Sequence, residues 1–434
     1  MKQHLSPTAM EILAREISTD DDFWKSRESL TRIREYARMC LVGPWALLGG
    51  VMLRAIADIP PSVTIPAIVG GQASLNLFVG FVGRSGHGKG TSDAAARRCW
   101  PTTVSELPIG TGEGLAATFY RDPNDQEAAA NTPESVIFTA SEVDTLNVLG
   151  GRSGATLYPE LRKLAMGETL GAQNASKEHR RVVQPHTYRA CLSVGIQPER
   201  AGTLIDDAGG GTPQRFVWLP VIDPDAPDIP PADIAPLEPA DYRWPAGTIH
   251  VPRHIWTEVR SHRRRVLRGD STVNPLDGHR YLTRIKVSAA LAVIDKRKEI
   301  DDEDWRLAGY VMDVSDRTRD AITAAIERER KRAVADTAHT NALRVILTSD
   351  AEVRHVADKV LGRLGDEPVA ASELRSGITQ RLREHFEPAI QLLAEAGEIQ
   401  VADLPNGRHV RRTPPDDRQP IVRSVTSTNS PDNP

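Results

Sequence analysis

Residues 74–92 read Ser-Leu-Asn-Leu-Phe-Val-Gly-Phe-Val-Gly-Arg-Ser-Gly-His-Gly-Lys-Gly-Thr-Ser. Leu75, Leu77, Phe78, Val79, Phe81 and Val82 form a short apolar run of the kind that makes a buried strand. The run breaks at Gly83 into a glycine-rich turn, Gly83-x-x-Gly86-x-Gly88-Lys89-Gly90-Thr91, and Ser92 opens an Ala-rich, helix-prone segment. Strand, Gly-x-x-x-x-Gly-Lys and helix in that order predict a phosphate-binding loop. Glycines let backbone N–H groups face one point, the helix N-terminus adds partial positive charge, and Lys89 reaches the terminal phosphates. Gly83, Gly86, Gly88, Lys89, Gly90, Thr91 and Ser92 are the expected ATP-binding residues.

The loop departs from the usual pattern at Gly90, where a Ser or Thr ordinarily meets Mg²⁺. Gly-Lys-Gly-Thr is similar to the loop of adenylate kinases, and Thr91 becomes the expected metal-side hydroxyl. The 434 residues suffice for two or three domains. With 40% hydrophobic and 26% charged residues the composition is that of a soluble globular protein. A net charge of −4 means that nucleic-acid contacts must come from local patches. Cys40, Cys99 and Cys191 are isolated, which argues against a disulfide framework or a zinc site and for a reducing cytoplasm. No signal-peptide pattern opens the chain. Cys40–Leu53 is apolar but too short to span a bilayer, and reads as a buried helix.

Downstream, Ser135–Asp144 is an apolar run ending in acids, read as a strand that a nucleotide-hydrolysing fold places beside its loop strand. Glu142 is the expected base that polarises the attacking water, and Asp144 an expected Mg²⁺ ligand. Ser141 stands where an Mg²⁺-binding Asp is usual, so the metal ligands stay open. Tyr188–Gln197 is a second apolar strand, and Gln197 at its end suits a sensor of the γ-phosphate. Arg215 lies between the Gly209–Gly211 run and another apolar strand.

The expected domains are a helical N-terminal region (1–60), an ATPase core (61–220), a Pro-rich linker (221–250), a helical lid (251–335), a winged helix (340–412) and a disordered tail (413–434). The winged helix rests on helices near 353–364, 372 and 386–396, followed by a hairpin around Asn406–Gly407.

That order of motifs resembles the AAA+-like P-loop ATPase modules of phage- and plasmid-encoded primase–helicases, carried by Gly83–Thr91, Ser193–Pro198 and Gly211–Phe216. The resemblance implies an α/β fold with a P-loop NTPase core of the AAA+/RecA-like ASCE kind, ATP and Mg²⁺ as cofactors, and a ring, a hexamer, of identical subunits. It gives Arg215 a role on the neighbouring subunit's ATP and Arg284, in Leu282–Ala290, a sensor-2 role. It places Lys177, Arg180 and Arg181 in a pore hairpin that meets DNA; Arg408, Arg411 and Arg412 of the wing are basic residues for the same polyanion. The residues ahead of the loop strand are too few for a primase site, so the expectation is a stand-alone motor of a mobile element.

Function therefore reads as a cytoplasmic ATP-dependent DNA helicase or translocase acting on single-stranded or forked DNA, with other replication proteins as further partners and no membrane. Two other readings stay open: an ATP-switched replication initiator or helicase loader, and, prompted by Gly-Lys-Gly-Thr, a small-molecule kinase.

Overall fold

The computed structural model describes residues 21–151, 155–173, 181–240, 243–273, 278–365, 367–405 and 407–414, with backbone alone at 335–336 and 338–350. Residues 1–20, Lys177, Arg180, Asn406 and the tail from 415 lie outside the described residues. The chain divides into two compact units, Met1–Glu329 and Arg330–Pro434.

The first unit is mixed α/β, built on a five-stranded parallel sheet of β1 (Phe78–Val82), β2 (Ser105–Pro108), β3 (Ser135–Ala140), β4 (Arg189–Ile196) and β5 (Phe216–Pro220), in the order β2-β3-β4-β1-β5. β1, β4 and β5 are buried along their whole length, as parallel strands covered on both faces must be. One expectation is corrected here. The acidic strand β3 is not beside the loop strand β1; the Gln197 strand β4 lies between them. Parallel strands need long crossovers, so chain order does not dictate spatial order.

Helix α1 (Pro44–Ala57) is buried throughout, as its mostly apolar surface requires, and its one charged residue, Arg54, is paired with Asp93 and Glu106. Gly49 and Gly50 allow its close approach: an added Cβ would lie 2.6 Å from Leu219 Cδ1 at the first and 2.5 Å from Ala96 Cβ at the second. Ala96 belongs to α2 (Lys89–Cys99), so α1 is wedged between the sheet and the helix that follows the glycine loop. No single helix among the described residues is long and apolar enough to cross a membrane.

Residues 221–250, expected from their proline content to be a linker or surface excursion, are mostly exposed but anchored at several points. Leu237 is buried and its N–H donates to Cys99 O at 2.8 Å. Gly247–Thr248 pairs in parallel with Val63–Ile65, and Asp223 accepts from Arg38. Apolar residues spaced among the prolines anchor the segment as a strap.

Three helices follow: α3 (Arg253–Leu267), α4 (Arg280–Ile294) and α5 (Asp302–Leu361). The sequence reading broke the last of these near 335–340; the structure has one helix of 60 residues. No proline occurs in it, and nothing else in the sequence stops it. In the second unit, Val356, Val360 and Leu364 pack with Leu374 of α6 (Ala371–Ser376), Phe386 and Ile390 of α7 (Phe386–Glu395), and Val410. A three-stranded antiparallel sheet completes it: β6 (Val369–Ala370), β7 (Ile399–Leu404) and β8 (Gly407–Arg412), in the order β6-β8-β7. β6 is a strand that propensity did not reveal.

Candidate functional site

Open parallel sheets bind ligands beyond the carboxyl ends of their strands. At this exit edge Gly83 follows β1, and its N–H donates to Ile196 O of β4 at 3.0 Å. A Cβ on Gly83 would meet Val221 Cγ2 at 2.3 Å, so the turn tolerates only glycine there. Gly86 and Gly88 take φ of 82° and 84°, the left-handed region that glycine enters without strain. Helix α2 then begins at Lys89 with Gly88 as its cap. Lys89 is buried, and its Nζ donates to Gly83 O at 3.1 Å and Arg84 O at 3.2 Å. The loop thus folds around the ammonium.

Ser92 and Thr91 divide the hydroxyl roles. Ser92 is buried and donates to Gly88 O at 3.0 Å, a bond within the turn. Thr91 is exposed beside Gly90. Of the two, only Thr91 offers its oxygen to the outside.

The acid and the sensor meet. Gln197 Nε2 donates to Glu142 Oε2 at 2.7 Å across the ends of β4 and β3. A residue that sequence reasoning passed over makes this possible: a Cβ on Gly195 would stand 2.1 Å from Ser141 O and 3.5 Å from Lys89 Cε. Glycine there lets the end of β3, β4 and Lys89 converge. Asp144 is ion-paired with Arg200 at 2.6 Å, another exit-edge residue the sequence reading missed, although it lies three places after Gln197. No group of three or more His, Cys, Asp or Glu able to hold a metal occurs among the described residues. The oxygen donors available, Thr91 and the carboxylates of Glu142 and Asp144, suit Mg²⁺ in the way that ion is usually held, by one or two protein oxygens together with phosphates.

Arg215 lies at the other edge. It immediately precedes β5, and Phe216 is in register with Phe78, the first residue of β1. The length of β1, roughly 17 Å at about 3.3 Å per residue, separates it from the loop of its own chain. The guanidinium does not project outward: it is half-buried, with Nη1 donating to Gly211 O at 2.6 Å and a buried Nε without a partner. Burial, reinforced by Arg162, lowers its pKa to about 10. Arg284 is not brought to the loop either. Its Nη2 donates to Trp305 O at 2.7 Å, its guanidinium stands 3.8 Å over the Trp305 ring, and Glu258 lies 3.5 Å away. Two residues on, fully buried Lys286 donates to Asn76 O at 2.8 Å and Ala165 O at 2.6 Å, at the entry edge of the sheet.

Of the expected DNA-contacting residues, Arg181 is exposed at the start of the strand Arg181–Val183, which pairs antiparallel with Leu170–Ala172. Lys177 and Arg180 lie outside the described residues. Arg408 pairs with Glu387 at 2.7 Å, Arg411 donates to Gln400 at 2.9 Å, and Arg412 is exposed, all on β8.

No family model and no curated protein matches the chain. Among solved structures it is similar to the SCCmec type IV Cch active helicase, with 13% identity and a TM-score of 0.29 over 85% of this chain and 67% of that one. A likeness that slight says nothing of what this chain does.

Proposed function

We propose that this chain is an ATP-driven DNA motor, a helicase or translocase working as a ring of identical subunits. The observation that carries the reading is the meeting of Lys89, Gly195 and the Glu142–Gln197 pair at the exit edge. The loop amides and Lys89 would bind the β- and γ-phosphates, and Thr91 with Asp144 would hold Mg²⁺, which would neutralise charge on those phosphates. Glu142 draws a proton from water, whose oxygen attacks the γ-phosphorus as the bond to the bridging oxygen breaks, giving ADP and phosphate. Gln197 holds that carboxylate until a γ-phosphate competes for its amide. The antiparallel pairing of Leu170–Ala172 with Arg181–Val183 suits a pore hairpin, and the second unit suits a winged helix.

Lys89→Ala should lower phosphate release to background without shifting the thermal melt; undiminished turnover would end the reading. Glu142→Gln should keep nucleotide affinity and lose hydrolysis. Unwinding of a forked duplex separates a helicase from an initiator or loader. That second reading is favoured only by the three helices and basic β8 of the second unit.

A further inference from the structure

Helix α3 carries a charge pattern that the motor chemistry leaves unused. Residues 253–268 contain six arginines and one acid, Glu258, in a chain of net charge −4. Glu258 is half-exposed and engaged away from the arginines, accepting from Trp305 Nε1 at 2.9 Å and lying 3.5 Å from Arg284. The apolar face, Ile255 and Val259, is buried against the rest of the unit. At about 100° per residue, Arg253, Arg260, Arg264 and Arg268 fall within an arc of roughly 80° on the opposite side. All four are exposed, and they form a stripe about 22 Å long. Arg260 is tied down, donating to Ile68 O at 2.9 Å and standing 5.0 Å over the Trp256 ring. Arg253, Arg264 and Arg268, and Arg263 beside them, have no side-chain partner among the described residues. Arg265, on the flank, is neutralised by Asp270 at 2.9 Å.

Four guanidiniums in line on one helix face, unshared with any carboxylate among the described residues, complement a polymer of regularly spaced phosphates. A membrane surface fits less well, because the helix buries Ile255 and Val259 within the protein and exposes only Val266 and Leu267, at its C-terminal end, to insert among lipids. We propose that the α3 stripe is a nucleic-acid backbone track, in which Arg253, Arg260, Arg264 and Arg268 bind phosphates without reading bases. The inference rests on the motor reading and deepens it by giving the ATPase unit a further nucleic-acid contact. It is read without nucleotide, so its failure is separate from that of the loop, which Lys89→Ala reports.

The test uses the full chain, fluorescein-labelled single-stranded and duplex DNA of about 20 nucleotides, and a salt series from about 50 to about 200 mM. Arg253→Ala/Arg264→Ala/Arg268→Ala should weaken binding about tenfold or more, and its slope of log K against log salt should be shallower by about 2 to 3. The two DNA arms tell which strand state uses the track. The corresponding triple lysine variant, which keeps the charge, should bind within a few-fold of the parent. Unchanged affinity and slope in the alanine variant would overturn the inference, as would equal loss in the lysine variant. Loss of binding to phosphatidylserine vesicles with DNA binding intact would assign the stripe to lipid and overturn it as well.

Discussion

At the exit edge of the parallel sheet Lys89 is held by backbone oxygens, and Glu142 with Gln197 and Asp144 with Arg200 hold one another in pairs. Gly83, Gly86, Gly88 and Gly195 clear space, and Lys89, Glu142 and Gln197 occupy it. The entry edge is crowded with cations. Arg189 is fully buried and its guanidinium donates to Ile59 O, Pro60 O, Val63 O, Ser74 Oγ and Asn76 Oδ1, with no carboxylate among them. Lys286 lies close enough to feel both Arg189 and Arg215: burial first, then Arg215 and Arg189, lowers the Lys286 pKa to about 7, and burial lowers Arg189 to about 10. His279 is lowered to about 4 by burial and then by Arg215 and Lys286. The contrast teaches where each edge can act. The exit edge gathers the groups of the proposed phosphate site around Lys89. The entry edge gathers positive charge that carbonyl oxygens satisfy but do not neutralise; in the proposed ring, a neighbour's phosphate would relieve this at Arg215.

The sharpest way to break this comparison is at Arg215. Arg215→Ala and Arg215→Lys should both lose about 10³-fold in turnover while still binding ATP, since lysine cannot reproduce bidentate phosphate contact. Because the strand length keeps Arg215 from its own loop, mixing Arg215→Ala with Lys89→Ala subunits should restore partial hydrolysis. A mixture that assembles and stays inactive would show that the two edges do not serve each other across an interface, and would remove the main reason to expect a ring.

The exit edge is sharpened by Gly195. A methyl there meets Ser141 O at 2.1 Å, a backbone atom that cannot swing away, so β3 and β4 must part at their ends. Gly195→Ala should cost about 1–3 kcal/mol in thermal or denaturant unfolding and weaken nucleotide binding. A variant with parental stability and affinity would show that the convergence at Gly195 does not shape the site.

The difference between the edges also explains what the sequence disclosed. The loop was legible because strand, glycines, lysine and helix are local and consecutive. Glu142 and Gln197 were legible as strand-end polar residues, but their contact depended on β4 standing between β1 and β3, which no local pattern encodes. The entry-edge cluster was invisible for the same reason: Arg189 and Lys286 sit in segments where a basic residue ordinarily faces water, and their acceptors are carbonyls from Ile59, Pro60, Val63, Asn76 and Ala165, far away in sequence. Arg284 matched a sensor segment by its neighbours in sequence, yet Trp305, brought up by α5, takes its head group.

The smallest effect concerns Lys286, and it separates a buried cation from a buried amine. Its Nζ has two acceptors, Asn76 O and Ala165 O, so a neutral amine satisfies both with its two hydrogens, while an ammonium carries a third hydrogen and a charge that burial penalises. The folded pKa is thus lowered from 10.5 to about 7. Between those values the unfolded chain binds the extra proton, so stability rises with pH across that window; below it both states are protonated and the folded one bears the full penalty. Between about pH 7 and about pH 8.5 the parent should gain about 1.5 kcal/mol that Lys286→Met does not, as a pKa unit is worth about 1.4 kcal/mol. Other displaced groups interfere little there. His279 titrates below the window, Arg189 and Arg215 above it, and the thiols of Cys99 and Cys191 are raised to about 12 and about 11. Taking the difference between the two proteins at each pH cancels what they share. Parallel stability curves would mean that Lys286 stays protonated, and that the entry edge holds its full positive charge at neutral pH.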